Sequence, residues 1–230
     1  MKNNYLKLAE NYLRLARKIS EELQANKEVV GVAVIGSTAR GDVHRLSDID
    51  LVVLVQGSGI FQWKRRVVQD IVVNVAIRSI DVLKKMAKEN SDTIFALREA
   101  LILYDPKNIL RSIKKDATLT EPIRKELVGD LLDEARSFIG KAERALTEER
   151  LESTILCLRH GVIKLAELMI FEYTGNKANP MNLWEEINKA SLPRPFKELF
   201  ADIQSFKAIE KRWLMAVLEE LKTFLPEPAK

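Results

Sequence analysis

Two aspartates one residue apart, Asp48 and Asp50, open the apolar run IDLVVLV at residues 49–55. In a strand, residues two apart point to the same face, so these carboxylates project together. Carboxylates that close repel unless a cation stands between them, and oxygen ligands without imidazole or thiolate favour Mg2+ or Mn2+. Two such ions about 3.5–4 Å apart can hold the attacking and leaving oxygens of an in-line phosphoryl displacement. Just upstream, residues 34–40 (VIGSTAR) read as a strand that passes through a Gly36-Ser37 turn into a short helix. Free N–H groups at a helix start attract phosphate. Gly36 leaves room for its approach, and Ser37 can cap the helix or donate its hydroxyl to a phosphate oxygen. Arg40 shares a helix face with Ser37, and its guanidinium fork suits a triphosphate tail. Together these residues describe a site for a metal-bound nucleoside triphosphate.

The elements that must position them follow from periodicity. Residues 5–23 place Tyr5, Leu8, Tyr12, Leu15, Ile19 and Leu23 at helical spacing. Four short aliphatic runs, 29–35, 49–55, 71–77 and 100–104, read as strands. Ser79 is predicted to cap a helix over 80–90, and Asp92 to cap the helix that follows it. The segment QGSGIFQWKRR (56–66) reads as a long connection with a charged tip at Lys64–Arg66. The runs 49–55 and 71–77 are therefore predicted to form an antiparallel hairpin. From Thr120 onward every signal is helical: a stripe over 121–146, an all-round apolar helix over 151–173, and breakers at 174–180 and 192–195. The last helix carries Phe206, Ile209, Trp213, Val217, Leu221 and Leu225. The expected organisation is α+β: an N-terminal accessory helix (1–26), a mixed-sheet domain with flanking helices (27–117), and an all-α helical bundle (118–230).

Composition narrows the classes. At 47% hydrophobic and 30% charged, the 230-residue chain can bury a core, and a net charge of +4 gives no support for a nucleic-acid binder. Cys157 alone excludes an internal disulfide, and His44 and His160 are too few for an imidazole-rich metal site. Asp42 reads as a residue fixing the Arg-Gly-Asp turn, His44 as exposed, and Trp184 and Trp213 as bundle packing. No apolar run is long enough for a membrane span, and the N-terminus lacks the apolar core of a signal peptide, so the cytoplasm is expected.

Residues 36–51, GSTARGDVHRLSDIDL, resemble the signature of the polymerase-β-type nucleotidyltransferase superfamily, above all its small bacterial and archaeal members. The pattern is Gly-Ser, ten intervening residues, then Asp-x-Asp at the start of an apolar strand. More loosely, the helical half resembles the bundles that many of these enzymes carry for the acceptor. The resemblance implies Asp48 and Asp50 as catalytic metal ligands, with Gly36, Ser37 and Arg40 on the triphosphate. It implies an Mg2+-dependent transfer from an NTP, ATP being the expected one, to a hydroxyl of a small molecule or protein. A homodimer is compatible with it; a nucleic-acid or membrane partner is not expected. It also calls for a third carboxylate on the next core strand. The aligned position is Asn74, a neutral amide, while Asp70 has the same strand parity but lies at the strand entrance. Glu99 and the acids of the helical half are the remaining candidates. A missing general base typically costs about 10²–10⁴-fold. The alternative reading is thus a catalytically weak or inactive nucleotide-binding regulator or antitoxin-like partner.

Overall fold

The computed structural model describes residues 2–205 and 210–226, with side chains from Leu6 onward. The chain divides into two compact units, Met1–Arg124 and Lys125–Lys230. The first contains α1 (Lys2–Gln24), β1 (Val29–Ile35), α2 (Gly36–Arg40), β2 (Ile49–Val55), β3 (Phe61–Val68) and β4 (Ile71–Ser79), followed by α3 (Ile80–Glu89), α4 (Ser91–Glu99), β5 (Leu101–Tyr104) and α5 (Ile109–Asp116). The strands form one mixed sheet in the order β3-β4-β2-β1-β5. The predicted α+β architecture is present: a mixed sheet with flanking helices, then a helical region.

The aliphatic strands lack polar alternation because both sheet faces are covered. On one face, Tyr12, Leu15, Ala16 and Ile19 of α1 pack into Val32, Val34, Leu51 and Val53. On the other, Leu83, Leu97, Leu110 and Ile113 from α3, α4 and α5 enclose Val30, Val52, Leu54 and Ala76.

The predicted hairpin of 49–55 with 71–77 is not formed. β2 and β4 run parallel, and residues 61–68, taken as connection, are an edge strand antiparallel to β4. The charged tip at Lys64–Arg66 is instead the middle of this strand. An edge strand keeps one side in solvent, so FQWKRRVV carries charges that mimic a loop. The β3–β4 turn is at Gln69 and Asp70, both with positive φ (52° and 62°), as a two-residue hairpin turn requires. The helix-cap expectations need correction too. Asn90, not Asp92, caps α4, its Oδ1 accepting from the Thr93 N–H at 2.8 Å. Ser79 precedes α3 but makes no side-chain cap bond; its hydroxyl donates to Asp81 and accepts from the Ile60 N–H at 3.0 Å.

The second unit is all-helical: α6 (Glu121–Thr147), within which the division falls, α7 (Leu151–Thr174), α8 (Leu183–Lys189), α9 (Arg194–Gln204) and α10 (Lys211–Thr223). α7 is buried on several faces through Ile155, Leu158, Val162, Leu165 and Phe171. It ends at Gly175, whose left-handed φ of 69° lets its N–H reach the Phe171 carbonyl at 2.8 Å. Phe206 and Ile209 of the predicted last helix lie outside the described residues, as does the Tyr5 side chain. Among the described residues, no helix is long and apolar enough to cross a membrane.

Candidate active site

Sheet register assembles the site. Asp50 on β2 stands opposite Asn74 on β4 and opposite Ile35 on β1, and Asn74 in turn pairs with Arg65 on β3. Asp48 sits just before β2, half-buried like Asp50. One Asn74 nitrogen donates to both acids, to Asp48 Oδ2 at 2.7 Å and Asp50 Oδ1 at 2.9 Å. Two carboxylate oxygens thus converge on a single point, now filled by an amide NH2. Burial pushes the Asp50 carboxyl above its usual range; the Asn74 bond opposes this, the Asp48 charge adds to it, and Arg40 opposes it.

The turn that ends β1 abuts this pair. Gly36 adopts φ +67°, which favours glycine, and a Cβ there would crowd Asp50 Oδ2 at 3.1 Å. Ser37 is half-buried in the first turn of α2, and its carbonyl accepts from the N–H groups of Gly41 and Asp42 at 2.9 and 3.1 Å. Arg40 is gripped by two carboxylates, Asp42 at 3.2 Å and Glu99 at 2.7 Å. Asp42, predicted to fix the turn, here holds the arginine side chain.

Asp70 is not brought to the acids. It occupies the exposed β3–β4 turn, four residues along β4 from Asn74, or about 13 Å at strand rise. Glu99 reaches Arg40 and not the aspartates. Among the described residues, no group of three or more carboxylate, imidazole or thiolate side chains is placed to share a metal. The donor set that is present still fits a hard divalent cation. It offers two convergent carboxylates, and the Asn74 carbonyl becomes a third oxygen once its amide turns over.

Tyr12 was not signalled by the sequence as a site residue. Its hydroxyl lies 3.1 Å from the Ser47 carbonyl and 3.3 Å from that of His44, so α1 clasps the loop that delivers Asp48. Burial, then the Asp48 charge, raise its pKa. His44 itself is half-buried, its Nδ1 accepting from the Leu46 N–H at 3.2 Å. Nothing local in the sequence links residue 12 to residues 44–47.

With this geometry, residues 16–116 match the family model of the nucleotidyltransferase domain. That match supports a nucleotidyltransferase domain of the polymerase-β type over this stretch. A crystal structure of a nucleotidyltransferase-like protein from Exiguobacterium sibiricum 255-15 shares the fold, with a TM-score of 0.61 at 17% identity, over 91% of this chain and 73% of that one. No curated protein matches the sequence.

Proposed function

We propose that the protein is an Mg2+-dependent nucleotidyltransferase. It would move a nucleoside monophosphate from an NTP, with ATP the expected donor, to a hydroxyl of a small molecule or protein, releasing pyrophosphate. The observation that carries this reading is the contact distance of the phosphate-accepting turn from the acid pair, 3.1 Å between a Gly36 Cβ position and Asp50 Oδ2. The acceptor oxygen bonds to the α-phosphorus while the bond to the β-phosphate bridging oxygen breaks, and pyrophosphate leaves with the electron pair. Asp48 and Asp50 would hold the cation, which supplies Lewis-acid charge on the triphosphate. The N–H groups after Gly36, the Ser37 hydroxyl and Arg40 orient the β- and γ-phosphates. For Arg40 this means exchanging Glu99 for a phosphate oxygen, one charge-assisted bond for another. Residues 27–117 with the helix before them would form the catalytic domain, and 118–230 would carry acceptor contacts.

Asn74 favours a second reading. An amide neither gives nor takes a proton, so the hydroxyl proton leaves to water or to the aspartate pair, and turnover is expected to be slow. A chain that only binds nucleotide, as a regulator or antitoxin-like partner, needs no base at all. Calorimetry with Mg2+-ATP and pyrophosphate release, on wild type, Asp48→Asn and Asn74→Asp, separate the two. The enzyme reading expects Mg2+-dependent binding that Asp48→Asn abolishes, slow pyrophosphate release, and at least a tenfold gain in Asn74→Asp. Binding without pyrophosphate release in either protein selects the regulator. Absence of Mg2+-dependent binding in wild type removes both.

A further inference from the structure

A cavity of about 270 Å³ opens on the same sheet face as the acids. Its floor is Val52 and Ala76, each two residues along its strand from Asp50 and Asn74, and Leu97 of α4 closes one wall. The opposite wall is unusual for an apolar pocket. Arg78 is only 3% exposed, with its guanidinium carbon 3.6 Å from the Phe61 ring centroid and 4.9 Å from that of Trp63. One of its nitrogens, Nη1, donates to the carbonyls of Gln62 and Ile77 at 2.7 and 2.9 Å. Arg78 is the buried charged group of this lining, and the acid that shares it, Asp92, is exposed. Burial alone lowers its pKa. The two carbonyl bonds and the two ring faces offset part of the cost of taking a guanidinium out of water, and an anionic group beside it would offset more. Phe61 and Trp63 remain more than half exposed, at 56% and 62%, and so still offer surface to a flat ring.

We propose that this pocket anchors the acceptor of the transfer reaction, a small planar molecule bearing a carboxylate and a hydroxyl. The identification of this ligand as the acceptor rests on the nucleotidyltransferase reading above. Charge fixes its direction. Arg78 lies four residues along β4 from Asn74, about 13 Å at strand rise. A carboxylate is repelled by Asp48 and Asp50 and drawn to Arg78, so the opposite end of the molecule, with its hydroxyl, points toward the acids. The cavity volume admits a single ring system. Its apolar floor and one buried charged group follow the common make-up of small-molecule sites.

The test uses the full-length chain carrying Trp184→Phe and Trp213→Phe, which leaves Trp63 as the reporting fluorophore. The probe is 4-hydroxybenzoate, compared with its neutral isostere 4-hydroxybenzamide. The expected result is a saturable change in Trp63 emission with about millimolar or tighter affinity for the benzoate, and at least tenfold weaker binding of the amide. Arg78→Gln is expected to remove that tenfold preference. Ala96→Phe, which fills the cavity from α4 and leaves the Arg78 bonds to β3 and β4 intact, is expected to abolish binding of both probes. Saturating Mg2+-ATP is expected to leave the probe affinity unchanged or tighten it. Equal affinity for benzoate and benzamide, no saturable response, or full binding in Ala96→Phe overturns the proposal. Competition by Mg2+-ATP also overturns it and assigns the pocket to the nucleobase. If the benzoate binds as described and Mg2+-ATP does not bind at all, it is the nucleotidyltransferase reading that fails, and the pocket is left as a carboxylate site without an acceptor role.

Discussion

The geometry around Asp50 sets two expectations that a single side chain can test. Gly36→Ala places a Cβ 3.1 Å from Asp50 Oδ2 on a backbone with φ +67°, so both strain and contact act on the carboxylate. A loss of about 1–2 kcal/mol in chemical denaturation is expected, with Mg2+-ATP affinity in calorimetry falling more than stability alone explains. Asp50 also makes apo stability depend on pH. Its folded pKa is raised, chiefly by burial. Ionisation therefore costs the fold free energy, a cost absent below the unfolded value of about 3.8 and complete once pH exceeds the raised folded value. Asp50→Asn in EDTA should raise Tm at pH 7, and the gain should vanish on acidification through the carboxylate range. Excess Mg2+ should shrink the difference by stabilising the wild type alone. At this scale the motif was legible, because Gly36, Ser37, Arg40, Asp48 and Asp50 lie within one short stretch. The Asn74 bridge was legible only as an alignment. That the amide donates to both acids depends on β2 and β4 being in parallel register, which no local signal fixes.

Elements rather than residues decide how firmly the acid-bearing loop is held. Tyr12→Phe removes the hydroxyl that α1 sets against the Ser47 and His44 carbonyls. About 1 kcal/mol should be lost in denaturant unfolding, and nucleotide affinity should fall as Asp48 loosens. On the other side of the turn, Glu99 from α4 pairs with Arg40 and would compete with a bound phosphate for it, both side chains being partly solvated. Exposed pairs are worth about 0.2–1 kcal/mol, so Glu99→Gln is expected to tighten Mg2+-ATP binding by about 1.4- to fivefold in calorimetry. Strands buried on both faces announced themselves through continuous aliphatic runs, and the long helices through their stripes. β3 stayed hidden, since a strand at the sheet edge needs few apolar residues and its Lys-Arg-Arg centre resembles a loop. α5 was also missed. It is short, and its start is fixed by Asp105, whose carboxylate accepts from the N–H groups of Leu110 and Arg111 at 3.1 and 2.8 Å.

For the molecule as a whole, the N-terminal helix is structural and no mere accessory. Tyr12, Leu15 and Ile19 are buried against the sheet, at about 1.5–3 kcal/mol each. Their sum rivals the usual net stability of about 5–15 kcal/mol. Deleting residues 2–24 is therefore expected to yield a chain with no cooperative transition in its first unit by calorimetry, and a second unit that still melts. The outermost strand carries a different consequence. β3 lies at one border of the sheet, and with Lys64, Arg65 and Arg66 exposed along it, its outer backbone groups meet solvent beside three adjacent cations. An unprotected border of this kind templates the stacking of one chain on another into fibrils, and clustered positive charge makes two such borders repel. The same basic run that disguised the strand thus guards the protein against self-templated aggregation, most strongly at low ionic strength, where repulsion reaches furthest.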